Sequence, residues 1–197
     1  LFIGFDLGGG GWNDSIVIYI DSVSGGFSDT TTLEDQADPL RNAISGDGGG
    51  NQSELTFGSE FVPDYAIALR AADNFAGLWQ LAAGGNLSLN FVASANLTTN
   101  GTGQEIELQI SLANIGIAAG DSFGYVATLL NQGNAFRSDE FNGVATTTAN
   151  SGNVGSNPLT LGQEDYNVFQ TIPEPGTFAF MAVGALGLLY RRLRRQA

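Results

Sequence analysis

Short apolar runs alternate along the chain with Gly- and Asn-rich interruptions, and this rhythm predicts strands. Glu105-Ile-Glu-Leu-Gln-Ile-Ser-Leu112 is the cleanest case. Ile106, Leu108, Ile110 and Leu112 fall on one side, and Glu105, Glu107, Gln109 and Ser111 on the other. A period of two marks a half-buried strand. Ser15-Ile-Val-Ile-Tyr-Ile-Asp21 is apolar on both faces, which predicts a central strand covered on each side. Further strands are predicted over 1–6, 64–70, 77–81, 87–94, 122–130 and 166–171, with Leu87, Leu89, Phe91 and Ala93 on one face of the fourth of these. Residues 142–163, rich in Gly, Asn, Ser and Thr, read as loops. One short helix is predicted over 38–46, with Asp38 as N-cap, Pro39 at the first helical position and Gly46 closing the end in the left-handed conformation. About eight strands, frequent turns and one short helix predict a mainly β domain over 1–171, an antiparallel β-sandwich of jelly-roll-like form.

The last 26 residues, 172–197, break this rhythm. Phe178 to Tyr190 carries no charge and no side-chain amide, and as a helix it would span roughly 20 Å. That is shorter than a bilayer core of about 30 Å. The flanks compensate. Arg191, Arg192, Arg194 and Arg195 fit a cytoplasmic stop, and long arginines can snorkel while the bilayer thins locally. Pro173 and Pro175 break any helix on the other side and hold Glu174 in an extended stretch. The pattern predicts a separate C-terminal transmembrane-type helix over 178–190.

Pro173-Glu174-Pro175, a short apolar helix and a terminal Arg cluster together resemble the PEP-CTERM sorting signal of Gram-negative bacteria. The resemblance implies a chain recognised by an exosortase, a membrane-embedded processing enzyme. It further implies export, transient anchoring in the inner membrane, and processing near the Pro-Glu-Pro motif. Release to the cell surface or an extracellular polysaccharide matrix would follow. A bare single-pass tail anchor that is never cut is the competing reading of the same residues. The chain opens at Leu1 on a strand-like run, so an export signal, and with it the natural N-terminus, is expected upstream.

Charge divides the two parts. Residues 1–172 carry 19 Asp and Glu against three Arg, whereas 173–197 carry one Glu against four Arg. An acidic body repels nucleic acid and anionic lipid, and neither is expected as its partner. Neutral glycans and divalent cations suit it better, although acidity also simply keeps an exported protein soluble. Cys, His and Lys do not occur. Their absence removes disulfides, Ser-His-Asp and Cys-His nucleophiles, P-loops, and zinc or copper sites built on His or Cys.

What remains is sparse. The Gly8–Gly11 run leads into a strand rather than a helix, so it reads as a turn and not as a dinucleotide fingerprint. Carboxylate pairs such as Glu105 with Glu107, Asp139 with Glu140 and Glu164 with Asp165 could in principle serve a glycosidase, but paired acids on exposed faces are ordinarily just solvated. Asp47, Asn51 and Glu54 are candidate calcium ligands in an oxygen-rich loop. The loop departs from an EF-hand, with Gln52 at the turn position and Gly58 at the bidentate one, and an unliganded loop is the simpler reading. Trp12 and Trp79 are candidate sugar-stacking platforms, against the usual fate of sandwich tryptophans as core.

The stretches 13–26 and 105–130 are similar in pattern to sandwich modules grouped with family 9 carbohydrate-binding modules and DOMON-type domains. That resemblance implies glycan binding through aromatic side chains, although neither tryptophan aligns with those positions. The expectation is therefore a non-enzymatic, exported surface or matrix protein with a structural, adhesive or glycan-binding body and no required cofactor. The alternative is a secreted carbohydrate-active enzyme or its accessory module.

Overall fold

The structure is a computed structural model describing residues 1–6, 14–33, 35–46, 53–70, 73–81, 89–99, 105–131, 133–134, 137–142, 144–145 and 159–172. The predicted transmembrane-type helix over 178–190 lies outside the described residues, and no described helix is long and apolar enough to cross a membrane. In chain order the elements are β1 (Phe2–Asp6), β2 (Ser15–Asp21), α1 (Pro39–Ser45), β3 (Leu55–Phe57), β4 (Tyr65–Arg70), β5 (Phe75–Gln80), β6 (Asn90–Thr99), β7 (Glu105–Gln109), β8 (Ser122–Leu130), β9 (Arg137–Phe141), β10 (Val144–Ala145), β11 (Leu159–Leu161) and β12 (Asn167–Gln170). The fold is mainly β, as the periodicity predicts. The loop reading of 142–163 missed β10 and β11, and β3 and β9 were also unforeseen, because two or three residues are too short to show a period and Arg137-Ser-Asp-Glu-Phe141 carries one apolar residue.

The predicted two-sheet sandwich is corrected in one respect. Among the described residues ten strands join into one curled antiparallel sheet, a half-barrel, in the order β1-β7-β6-β5-β4-β2-β8-β9-β10 with β12 also on β8, and β3 and β11 form a separate parallel pair. The turning point is β6. Residues 90–95 pair with β5, and Asn96–Thr99 pair with β7. A register shift within the part paired with β5, where Leu78 faces Ala93 but Trp79 faces Phe91, leaves Val92 as an extra residue. A bulge bends and twists the strand that carries it. It also reverses the alternation. Ala93 and Ala95 follow Leu78 and Ala76 to one face, while Leu89 and Phe91 follow Trp79 to the other. The predicted common face of Leu89, Phe91 and Ala93 is thereby split, and Phe91 is half-exposed.

Two cores result. On the concave side Ile16, Ile18, Ile67 and Leu69 meet Ile106 and Leu108 of β7 and Ile110 just after it, as the curled sheet closes on itself. On the convex side Val17, Tyr19, Ala66 and Ala68 are covered by α1, by the parallel pair β3-β11 and by Phe61. β2 therefore contributes to both cores and sits between β4 and β8, as its two-faced apolar sequence requires. The helix also follows its sequence. The Asp38 carboxylate accepts from the Leu40 and Arg41 amides at 2.9 and 3.0 Å, and Pro39 begins the first turn. Gly46 has a positive φ of 87°, but its ψ of 167° is extended rather than left-handed helical.

Candidate functional site

Three places in the body bear on function: the exit of the tail, a polar cleft, and a buried arginine. The exit is built by Thr171. Its amide donates to the Asp121 carbonyl at 2.9 Å, and its hydroxyl accepts from the Gly120 amide at 2.7 Å. The same hydroxyl lies 2.9 Å from the Asp121 carbonyl and 3.1 Å from that of Ala118. Asp121 fixes this turn in return, its carboxylate accepting from the Ala118 amide at 2.8 Å. The antiparallel pairing of β12 with β8 brings Thr171 here, since Gln170 stands opposite Ser122. One residue later the chain is solvent-exposed, with Ile172 at 85 %. Pro173, Glu174 and Pro175, and the membrane-stop arginines 191, 192, 194 and 195, lie outside the described residues.

The cleft lies between the end of β2, the start of β8, the 58–61 turn and Tyr166, and encloses about 410 Å³. Asp21, Glu60, Tyr166 and the Ser22, Ser24 and Ser122 hydroxyls supply its polar groups. Tyr166 stacks on Phe61 at 5.0 Å and an interplanar angle of 23°. Burial, and then the negative charge of Glu60 and Asp21, hold its phenol above the usual tyrosine range. Asp21 accepts from the Val62 amide at 3.1 Å, and the neighbouring Asp64 accepts from the Ser22 and Val23 amides at 3.0 and 2.9 Å. Both carboxyls sit above their ordinary value. Burial is the main cause in each case, offset by those amides, and Asp64 pushes Asp21 up further. Acceptors and a donor around an open cleft suit the hydroxyls of a neutral ligand.

Arg137 is fully buried. Its Nε donates to the Ser53 carbonyl at 2.7 Å, and Nη2 donates to the Ala43 carbonyl at 3.2 Å and the Tyr19 hydroxyl at 3.3 Å. Nη1 donates to the Thr128 hydroxyl. Tyr19 in turn donates to the Ile44 carbonyl at 2.7 Å. Among the described residues no carboxylate pairs with this guanidinium. Burial lowers the Arg137 pKa and raises that of Tyr19, each partly restored by the other. The arrangement ties β2, β8, β9, α1 and the 53 segment together in a chain that has no cysteine.

The predicted ligand residues fare differently. Trp79 is 2 % exposed in the convex core, its ring lying against Gly77 of its own strand and edge-on to Phe91 at 5.8 Å. It is no stacking platform, because the core claimed the larger apolar surface. Trp12 lies outside the described residues, as do Asp47 and Asn51, while Glu54 is buried just before β3. Among the described residues no group of three acids is placed to hold a metal. Glu105 and Glu107 stand on the exposed face of β7, and Asp165 accepts from the Gly162 amide at 2.9 Å within a turn. Sequence reasoning passed over Asp21, Asp64, Thr171 and Arg137. The last carried a signal, as one of only three body cations, set in a Lys-free chain.

A family model for the PEP-CTERM protein-sorting motif matches residues 171–195. Such a motif implies recognition by an exosortase and export with transient anchoring through the C-terminus. No curated protein and no solved structure matches the chain.

Proposed function

We propose that the chain is cargo for an exosortase-type system of a Gram-negative cell, delivered to the cell surface or the polysaccharide matrix as a non-catalytic structural, adhesive or glycan-binding domain. One observation carries the reading. The matched motif begins at Thr171, the residue with which the described fold makes its last hydrogen bonds, and the next residue is exposed. A cut within the tail therefore severs none of the body's hydrogen bonds described above. Replacing Pro173-Glu174-Pro175 with alanines is expected to trap the protein at the inner membrane with its body still resistant to protease. Normal arrival of that variant at the surface would falsify the reading.

For the body, the cleft at Asp21, Glu60 and Tyr166 supports a neutral glycan as ligand, since carboxylates and a protonated phenol match vicinal hydroxyls. Retention on polysaccharide without product formation is the expected result, lost on Tyr166→Ala. Sugar release in the same assay would instead identify an enzyme.

A further inference from the structure

The cleft beside Tyr166 carries a negative charge that sugar hydroxyls alone leave unopposed. Asp21 stands opposite Gly124 of β8, and Gly124 opposite Val168 of β12, so the three form one row across the sheet. Gly124 has no positive φ, and its bare Cα therefore answers to space rather than to backbone strain. A Cβ there would lie 3.1 Å from the Phe61 ring and 3.7 Å from the Asp21 Cβ, filling the cleft between them. Among the described residues the Asp21 carboxylate accepts only the Val62 amide, and Glu60 accepts only the Ser59 hydroxyl, at 3.3 Å. The Tyr166 hydroxyl has no hydrogen bond there. No described arginine lines the cleft. Arg41 pairs with Asp35 and Asp38, Arg70 pairs with Asp73, and Arg137 is buried against Tyr19.

We propose that the preferred ligand of this cleft is a glycan unit with a free, protonated amine, a hexosamine without its acetyl group, whose ammonium meets the Asp21 and Glu60 carboxylates. The proposal rests on the reading of the cleft as a glycan site and narrows it, from any neutral sugar to one that adds a positive charge to its hydroxyls. A hydrogen bond between opposite charges is stronger than one from a neutral hydroxyl. A metal ion fits the acids less well, because among the described residues no three of them converge as a hard cation requires. An ammonium has three donors that can reach separate acceptors. The Ser22, Ser24 and Ser122 hydroxyls around the same space suit a polyhydroxylated ring over the aliphatic stem of a lysine.

Calorimetric titration of the full chain in mild detergent, at about pH 6 where an amine is protonated, compares hexamers of glucosamine and of N-acetylglucosamine. The free-amine hexamer is expected to bind about tenfold more tightly. Glu60→Gln is expected to bring the ratio of the two affinities close to one, and the exposure of Glu60 spares the fold. Asp21→Asn gives the same readout from the other carboxylate. Glu107→Gln removes an equal charge from β7, which forms no part of the cleft, and should leave the ratio as it was. Equal affinities in the parent overturn the proposal. So does a preference that survives both cleft variants or falls as far in Glu107→Gln, since bulk charge then explains it. Tighter binding of an oligolysine of equal charge also overturns it, because the sugar ring then contributes nothing. Each of these results leaves the wider glycan reading standing. Binding of neither hexamer overturns the proposal too, while that reading is decided separately by retention on polysaccharide.

Discussion

Arg137 shows how much one residue can carry. A guanidinium withdrawn from water is costly unless its donors find acceptors, and here neutral oxygens from four segments take four of its five N–H groups. Arg137→Ala leaves those oxygens without a partner and opens a cavity, and it is expected to cost about 3 kcal/mol or more in urea unfolding. Arg137→Lys is expected to fare little better, since an ammonium cannot reproduce the planar fork. Asp21 and Asp64 act through pH. Their folded pKa values lie above the ordinary 3.8, so their contribution to stability is whole below that value and is lost as pH climbs through the raised folded values. Repulsion among the body's 19 acids runs in the same direction. The urea midpoint should therefore rise as pH falls from neutral toward the ordinary 3.8, and Asp21→Asn should flatten that rise. A midpoint that falls over this range would contradict the assignment.

At the scale of elements, small local features set the geometry. The Asp38 cap holds α1 over the convex core, and Asp38→Ala is expected to cost about 1 kcal/mol. Gly77 is open for a stronger reason, because a Cβ there would come within 2.3 Å of the Trp79 ring. Gly77→Ala should therefore displace the indole, read as a red shift and broadening of Trp emission together with a lower melting temperature. Helix boundaries and the period-two strand β7 were legible because their signals are local: a capping side chain, a proline, an unbroken alternation. The bulge at Val92 was not. Its only trace is a pair of adjacent apolar residues, Phe91 and Val92, and the cross-strand partner that reveals the shift lies more than ten residues away.

For the whole molecule, the boundary at Thr171 governs what can be removed. A chain ending at Ile172 is expected to unfold at the same urea concentration as the full protein, within error. A chain ending at Tyr166 loses β12 and uncovers Phe123, which packs on Phe169 at 5.5 Å, and its midpoint should fall clearly. Equal losses in the two truncations would mean that the tail is integral to the globule. β12 extends the sheet beyond β8, so its exposed side chains fall next to the departing chain.

The address was written in contiguous residues. A Pro-Glu-Pro step, an uncharged run and terminal arginines act by local stiffness, hydropathy and charge, and none of these needs a folded partner to be read. The β character of the body and its one helix were equally local. Only tertiary structure decided that the strands form one curled sheet rather than two, that Trp79 is core, and that Asp21, Glu60 and Tyr166 share a cleft. Each of those outcomes depends on which residues meet across long separations in sequence. Pairing partners and burial are settled by the packing of the entire chain, whereas a period or a charge cluster records only what each segment favours by itself.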